Sequence, residues 1–241
     1  MFADGAAPGH AARCAVALVA LLTAALAGCA PFENDWSTLH PAGSVAQSVS
    51  LLWWVMCVGA LLLWAGVAGA FVWLARERGQ PLHTTGEGRW LFWGAVVLPA
   101  LVLVPLVAYG LVVGERVIRA QGFAGEPLHV NATARQWAWQ FDYPDIQPGV
   151  AHTTLYLPAG RPIRFEIRSE DVIHSLWIPR LGGKLDAIPG RTNVMVLDAR
   201  APGRYGGQCA EFCGTGHTAM RFEVVVEPEA DFLARLTQAR P

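Results

Sequence analysis

The sequence predicts a two-helix transmembrane hairpin followed by an all-β domain, on three observations. Leu51–Leu74 and Trp90–Val113 are uncharged apolar runs, each long enough to cross a bilayer. After residue 121 the pattern changes to short runs of β-branched and apolar residues broken by turns. The hydrophobic fraction of the 241-residue chain is 53%, and the excess over a soluble protein lies before residue 120. A net charge of −1 gives no basic patch for a nucleic acid, so none is expected as a partner.

Residues 1–28 read as a secretory signal: Arg13 precedes the apolar run Ala15–Ala27, which is too short to span comfortably. The run ends in Leu26-Ala27-Gly28-Cys29, which resembles the lipobox of bacterial lipoproteins and implies cleavage before Cys29 and its acylation. Residues 29–49 form a polar, turn-rich segment without Lys or Arg, and the hairpin occupies 50–114. Trp53, Trp54 and Trp73 sit near the ends of the first run, as interfacial anchors do. The connector Ala75–Arg89 carries Arg76, Arg78 and Arg89, so it faces the cytoplasm and both chain ends face the periplasm of a bacterial inner membrane. Within it, Glu87 reads as a solvated loop residue.

The β domain spans 121–228. Its strand-like runs are Leu128–Thr133, Thr153–Leu157, Arg161–Ile167, Val172–Ile178, Thr192–Leu197 and Met220–Val226, and their spacing predicts an antiparallel sandwich or barrel. Alternation through Arg135–Tyr143 places Trp137, Trp139, Phe141 and Tyr143 on one strand face. The tail 229–241 holds a short helix opened by Pro228, with Phe232 and Leu236 four residues apart.

One loop concentrates the chemistry. Cys209, Glu211, Cys213, His217 and Met220 fall within twelve residues, separated by small or Gly residues. Thiolate and thioether are soft ligands and imidazole is borderline, a set that suits copper better than Mg or Ca. Two cysteines four residues apart can bridge a pair of ions, whereas a single-copper site needs only one. Three other readings compete: a Cys2His2 zinc site from Cys209, Cys213, His217 and His174, a Cys209–Cys213 disulfide, and two inert thiols. The zinc site would leave Met220 idle, and the disulfide would leave both His217 and Met220 idle.

Cys-x-Glu-x-Cys-x3-His-x2-Met resembles the binuclear copper (CuA) loop of subunit II of haem-copper cytochrome c oxidases. Ser169-Glu-Asp-Val-Ile-His174-Ser and Asp186-Ala-Ile-Pro-Gly-Arg191 are similar to that family as well. The resemblance implies a cupredoxin-like barrel holding two coppers. Cys209 and Cys213 would bridge them, His174 and His217 would cap one each, and Met220 and the Glu211 carbonyl would be weak ligands. It implies further that the Glu211 carboxylate reaches a Mg ion at the interface with subunit I. Trp137 would be where electrons arrive from cytochrome c. Asp142, Asp145, Glu170 and Asp171 would attract that donor, and Asp186 and Arg191 would face the haem-bearing subunit I, with subunit III beside it. The implied function is to accept electrons from cytochrome c and pass them to subunit I for oxygen reduction. A copper-bearing nitric oxide reductase subunit and a membrane-tethered copper carrier are the alternatives.

Overall fold

The computed structural model describes residues 34–76, 87–118 and 125–238. The expected signal, Cys29 and connector residues 77–86 lie outside the described residues.

Helix α1 is Ser44–Arg76. Glu87–Leu91 forms a short helix, α2, so Glu87 is helical rather than in a loop. A π-helical turn, Phe92–Val97, joins α2 to α3, Leu98–Ile118. That turn precedes Pro99, whose ring nitrogen has no proton for the usual helical bond, and the Leu98 N–H bonds Trp93 O instead. Within these helices, Ser44–Trp73 and Phe92–Glu115 are long and apolar enough to cross a membrane.

Ten strands follow: β1 Leu128–Arg135, β2 Ala138–Tyr143, β3 Gln147–His152, β4 Leu155–Pro158, β5 Pro162–Ser169, β6 His174–Trp177, β7 Leu185–Ala187, β8 Asn193–Asp198, β9 Gly203–Cys209 and β10 Arg221–Glu227. They make two five-stranded sheets, ordered β3-β2-β1-β5-β8 and β4-β10-β9-β6-β7. The expected cupredoxin-like domain is thus built as a two-sheet sandwich, and an isolated parallel bridge pairs Ser169 at the end of β5 with Pro189. The antiparallel expectation holds for most pairs but fails for β1–β5 and β4–β10, which run parallel. Strands next to each other in sequence are shared between two sheets, so distant ones become neighbours.

Inward-facing Val130, Ala132, Phe141, Phe165, Ile167 and Val224 are wholly buried and alternate with exposed or half-buried positions. Three strands were missed, each for a local reason. Pro148 and Gly149 interrupt β3, β7 has only three residues, and β9 carries three glycines. Helix α4, Glu229–Gln238, closes the end of the sandwich with Phe232 and Leu236 buried.

The start of α1 is held against the β domain. Ala42 and Gly43 N–H both donate to Arg180 O, and Ala46 N–H donates to Leu181 O. Asp198 accepts from the Ser44 amide and hydroxyl, both at 2.7 Å, and so caps the helix.

Candidate metal centre

Strand β9 delivers Cys209, and the loop running from it to β10 carries the other ligand-type residues. The loop is pinned at both ends. Cys209 N–H donates to Met220 O at 2.9 Å, and Ala210 N–H donates to Ser175 O at 2.9 Å. A 3-10 turn, His217–Ala219, then aims His217 and Met220 back at the sulfurs. Pairing of β6 with β9, Leu176 against Cys209, brings His174 to the same place from elsewhere in the chain.

Inside, the two sulfurs lie 3.8 Å apart and both thiols are free, so the structure holds no Cys209–Cys213 bond. His174 Nδ1 is 3.8 Å from Cys209 Sγ, and His217 Nδ1 is 3.7 Å from Cys213 Sγ. Met220 Sδ is 3.8 Å from Cys213 Sγ, and Glu211 O is 3.2 Å from Cys209 Sγ. Each sulfur therefore has one imidazole and one weak donor beside it. His174, Cys209, Cys213 and Met220 are buried, and the ligand atoms of the first three lie within 4.8 Å of one another. Soft, dry and fourfold in sulfur and nitrogen, the set fits copper.

Burial pushes the Cys213 thiol up to about 11, and the neighbouring Cys209 adds to the rise. In the metal-free chain that thiol keeps its proton, so a metal must displace it on binding.

Asp171 organises the far side. Its carboxylate accepts from His174 Nε2 at 2.8 Å, Gln136 N–H at 2.6 Å and Val172 N–H at 2.6 Å. Burial alone would raise its pKa, but the bonds from His174 and the two amides outweigh it and hold the group at about 2. An ionised carboxylate only accepts, so Nε2 carries the His174 proton and Nδ1 presents its lone pair to the sulfurs. Sequence reasoning placed Asp171 on a docking surface; here it orients a ligand-type imidazole. The spacing Asp-x2-His, together with the strand-breaking turn that Ser169 and Asp171 make, was the available signal.

Trp137 does not share a face with Trp139, Phe141 and Tyr143. It lies in the turn between β1 and β2, 43% exposed, while the other three are buried. Its Nε1–H donates to Cys213 O at 3.2 Å, and Gln136 Nε2 donates to the same carbonyl at 2.7 Å. Gly214 and Gly216 leave room for the indole, since a Cβ on Gly216 would fall 2.3 Å from it. Trp139 packs against His174 instead, edge to face, with ring centres 6.3 Å apart.

The remaining site residues scatter. Asp142 accepts from Asn131 Nδ2 at 2.8 Å, and Asp145 pairs with His129 at 3.2 Å, both at the end of β2 away from Trp137. Glu170 is exposed beside the Asp171 turn. Glu211 turns its carboxylate outward, 44% exposed and 3.4 Å from Lys184 Nζ, while its carbonyl faces Cys209. Asp186 lies on β7, where its carbonyl accepts from Asn193 Nδ2, and Arg191 is exposed after a turn closed by its N–H to Ile188 O.

Residues 149–228 match the family described as cytochrome c oxidase subunit II, periplasmic domain. The chain is 32% identical over 225 residues to cytochrome c oxidase subunit 2 of Alkalihalophilus pseudofirmus, covering 86% of this chain and 63% of that relative. It is 42% identical over 95 residues to cytochrome c oxidase subunit 2 of Synechocystis, covering 39% of this chain and 28% of that relative. The chain therefore spans less than two thirds of the length of either curated relative. Among solved structures it is similar to the periplasmic domain of subunit II of cytochrome oxidase of Bradyrhizobium japonicum, at 30% identity and a TM-score of 0.43, covering 48% of this chain and 96% of that one.

Proposed function

We propose, of a chain that belongs to the cytochrome c oxidase subunit II family, that it is the electron-accepting subunit of a terminal oxidase. It takes electrons from a cytochrome c and passes them to the haem of subunit I for reduction of oxygen to water. The observation that carries this reading is the doubled donor set: two free buried sulfurs 3.8 Å apart, each with an imidazole nitrogen beside it. A single copper needs only one of the two sulfurs, a Cys2His2 zinc site would leave Met220 Sδ idle beside Cys213, and a carrier has no use for an indole hydrogen-bonded to the same loop.

Cys209, Cys213, His174 and His217 would hold two coppers, with Met220 Sδ and Glu211 O as weaker donors beside the sulfurs. When bound, such a pair supplies a one-electron carrier whose charge is shared over both metals. The chain's own part is rigidity. Asp171 fixes the His174 ring, Gln136 and Trp137 fix Cys213 O, and the β6–β9 ladder fixes the distance between the two ligand segments. Ligands that cannot rearrange keep the reorganisation on electron transfer small. Burial of the sulfurs keeps water from competing for the metals.

Trp137, exposed on one side and bonded to Cys213 O on the other, is the point where electrons arrive. The outward Glu211 carboxylate, with Asp186 and Arg191, would meet subunit I; there Glu211 would hold an interfacial Mg by exchanging its Lys184 contact. The two long apolar helices support membrane insertion, with the β domain on the periplasmic side and Cys29 acylated at the N-terminus.

The test is metal content and spectrum of the full chain, expressed in membranes with copper supplied. Two coppers per chain, with one unpaired electron spread equally over both nuclei in the paramagnetic spectrum, is the expected result. One zinc, or one copper with a single-nucleus hyperfine pattern, would overturn it.

A further inference from the structure

We infer that residues 35–43 form a strap that positions the metal centre: Trp36 and Arg180 hold β6 against β9 beyond the end of their own ladder, and so fix the separation of His174 from Cys209. The inference rests on the reading of those two residues as ligands. It makes the segment that leads into α1 part of the site.

The ladder that brings the two ligand segments together is short. Strands β6 and β9 pair only at Leu176–Cys209 and Trp177–Gln208. The rest of β9, back to Gly203, has β10 along one edge and no β6 along the other. Successive amides of a strand point to opposite edges. Cys209 N–H meets Met220 O on the β10 side, so Gly206 N–H points to the edge that β6 has left. There it donates to Asp35 O at 3.1 Å. The strap thus takes over the ladder where β6 stops.

Trp36 covers the same stretch. Its indole occupies the space that a side chain on Gly206 would fill, and the Arg221 guanidinium lies 5.5 Å from its ring centre. Arg221 follows Met220 and pairs with Gln208, so Trp36 touches both strands that frame the ligand loop. The other end of the strap grips the exit of β6. Arg180, just past that strand, donates its Nε–H to His40 O at 2.8 Å. Its carbonyl accepts the Ala42 and Gly43 amides at 2.7 Å and 3.1 Å. Its guanidinium lies 4.5 Å from the centre of the Tyr205 ring, which belongs to β9. A ladder this short opens readily at its free end. Here the strap closes that end from both sides, through Trp36 on β9 and Arg180 on the exit of β6.

The solubilised full chain is compared, free of metal, as wild type, Trp36→Ala, Trp36→Phe and Arg180→Met. In Trp36→Ala the Trp177 and Gln208 amides are expected to exchange hydrogen about tenfold faster, while amides of the β1–β5 ladder keep the wild-type rate. Cys209 should react about tenfold faster with a thiol reagent, since the opening exposes it. Trp36→Phe returns both to within about threefold of wild type, and Arg180→Met reproduces the loss. Loaded with copper, Trp36→Ala yields its metal to a chelator about tenfold faster than wild type. Equal acceleration of exchange across both sheets overturns the inference, because the strap then only stabilises the fold. So do copper release at the wild-type rate, or wild-type exchange and thiol reactivity in both Trp36→Ala and Arg180→Met. Should Trp36→Ala fail to accumulate, Arg180→Met carries the same comparison. If the wild-type chain holds a single zinc, the functional reading fails, and the metal-free measurements still decide whether the strap holds β6 to β9.

Discussion

Replacing Asp171 with Ala removes the group that ties the buried imidazole to the exposed indole. Its carboxylate receives His174 Nε2 at 2.8 Å and the amides of Gln136 and Val172 at 2.6 Å each. His174 is 0% exposed, so in the variant its Nε2–H faces a dry site without a partner. An unsatisfied buried donor costs about 1–3 kcal/mol. The two amides lie in exposed turns, where water replaces most of what is lost. The net expectation is a loss of about 2 kcal/mol in the copper-free chain. For a domain of this size that lowers the melting temperature by roughly 8 °C. Freed from its tautomer and orientation, His174 also binds metal about 10–100-fold more weakly. Asp171→Asn keeps an acceptor for Nε2 but loses the charge, so it falls between, at about 1 kcal/mol. The assay is calorimetry of the solubilised chain, followed by copper titration against a competing chelator. If Asp171→Ala melts within about 2 °C of wild type and holds copper as tightly, Trp139 packing alone orients His174 and the account of Asp171 is wrong.

Gly207→Ala places a Cβ 2.2 Å from the Phe222 ring, which is itself wedged against Trp139 and Phe141; a loss of about 2 kcal/mol is expected, read as a lower melting temperature. Phe232→Ala empties a fully buried position against Tyr143 and should cost about 3–4 kcal/mol, with α4 becoming cleavable in limited proteolysis. Arg235→Met tests a pH dependence. The hydrogen bonds from Arg235 hold the Glu227 carboxyl below its ordinary value of 4.5, so their contribution is complete above that pH and is lost as pH falls through the depressed value. Wild type should therefore melt higher than Arg235→Met at pH 7, and the gap should close on acidification below about 4.5; a gap that widens in acid would refute the sign.

The half of the site that is local in sequence was legible, and the half assembled by pairing was not. Cys209, Glu211, Cys213, His217 and Met220 sit on one loop, so their spacing states the donor set directly. His174 lies far from the loop in sequence, and the Leu176–Cys209 register that delivers it is set by the pairing of β6 with β9, which no local spacing states. Asp171 was read as a surface charge, since nothing in its spacing reveals that the Gln136 amide will be there to meet it. The two apolar helices were legible because length and apolarity define them, although the first begins at Ser44, ahead of the apolar run at Leu51. Strand β9 was hidden by its three glycines, which break the run of β-branched and apolar residues. They are there because Trp36 and Phe222 fill the space where Gly206 and Gly207 would carry side chains.

Trp137 shows why the error in the aromatic row matters for function. Period-two alternation was extended one residue too far: it holds for Trp139, Phe141 and Tyr143, whose buried faces demand it, and stops at the turn. The turn carries the indole out of the core and onto Gly214 and Gly216 of the ligand loop, where it bonds Cys213 O. Gln136 reaches that same carbonyl with its side chain and Asp171 with its amide. Indole, sulfur-bearing loop and buried imidazole are thus joined through one dipeptide. Substitutions within the loop remove ligands and change how many metals bind. On the function proposed above, those in the Gln136–Trp137 turn are expected to leave the ligands in place and to change how fast an electron reaches them. A turn variant that alters metal count as strongly as a loop variant would mean the hairpin builds the site and does not merely lead to it.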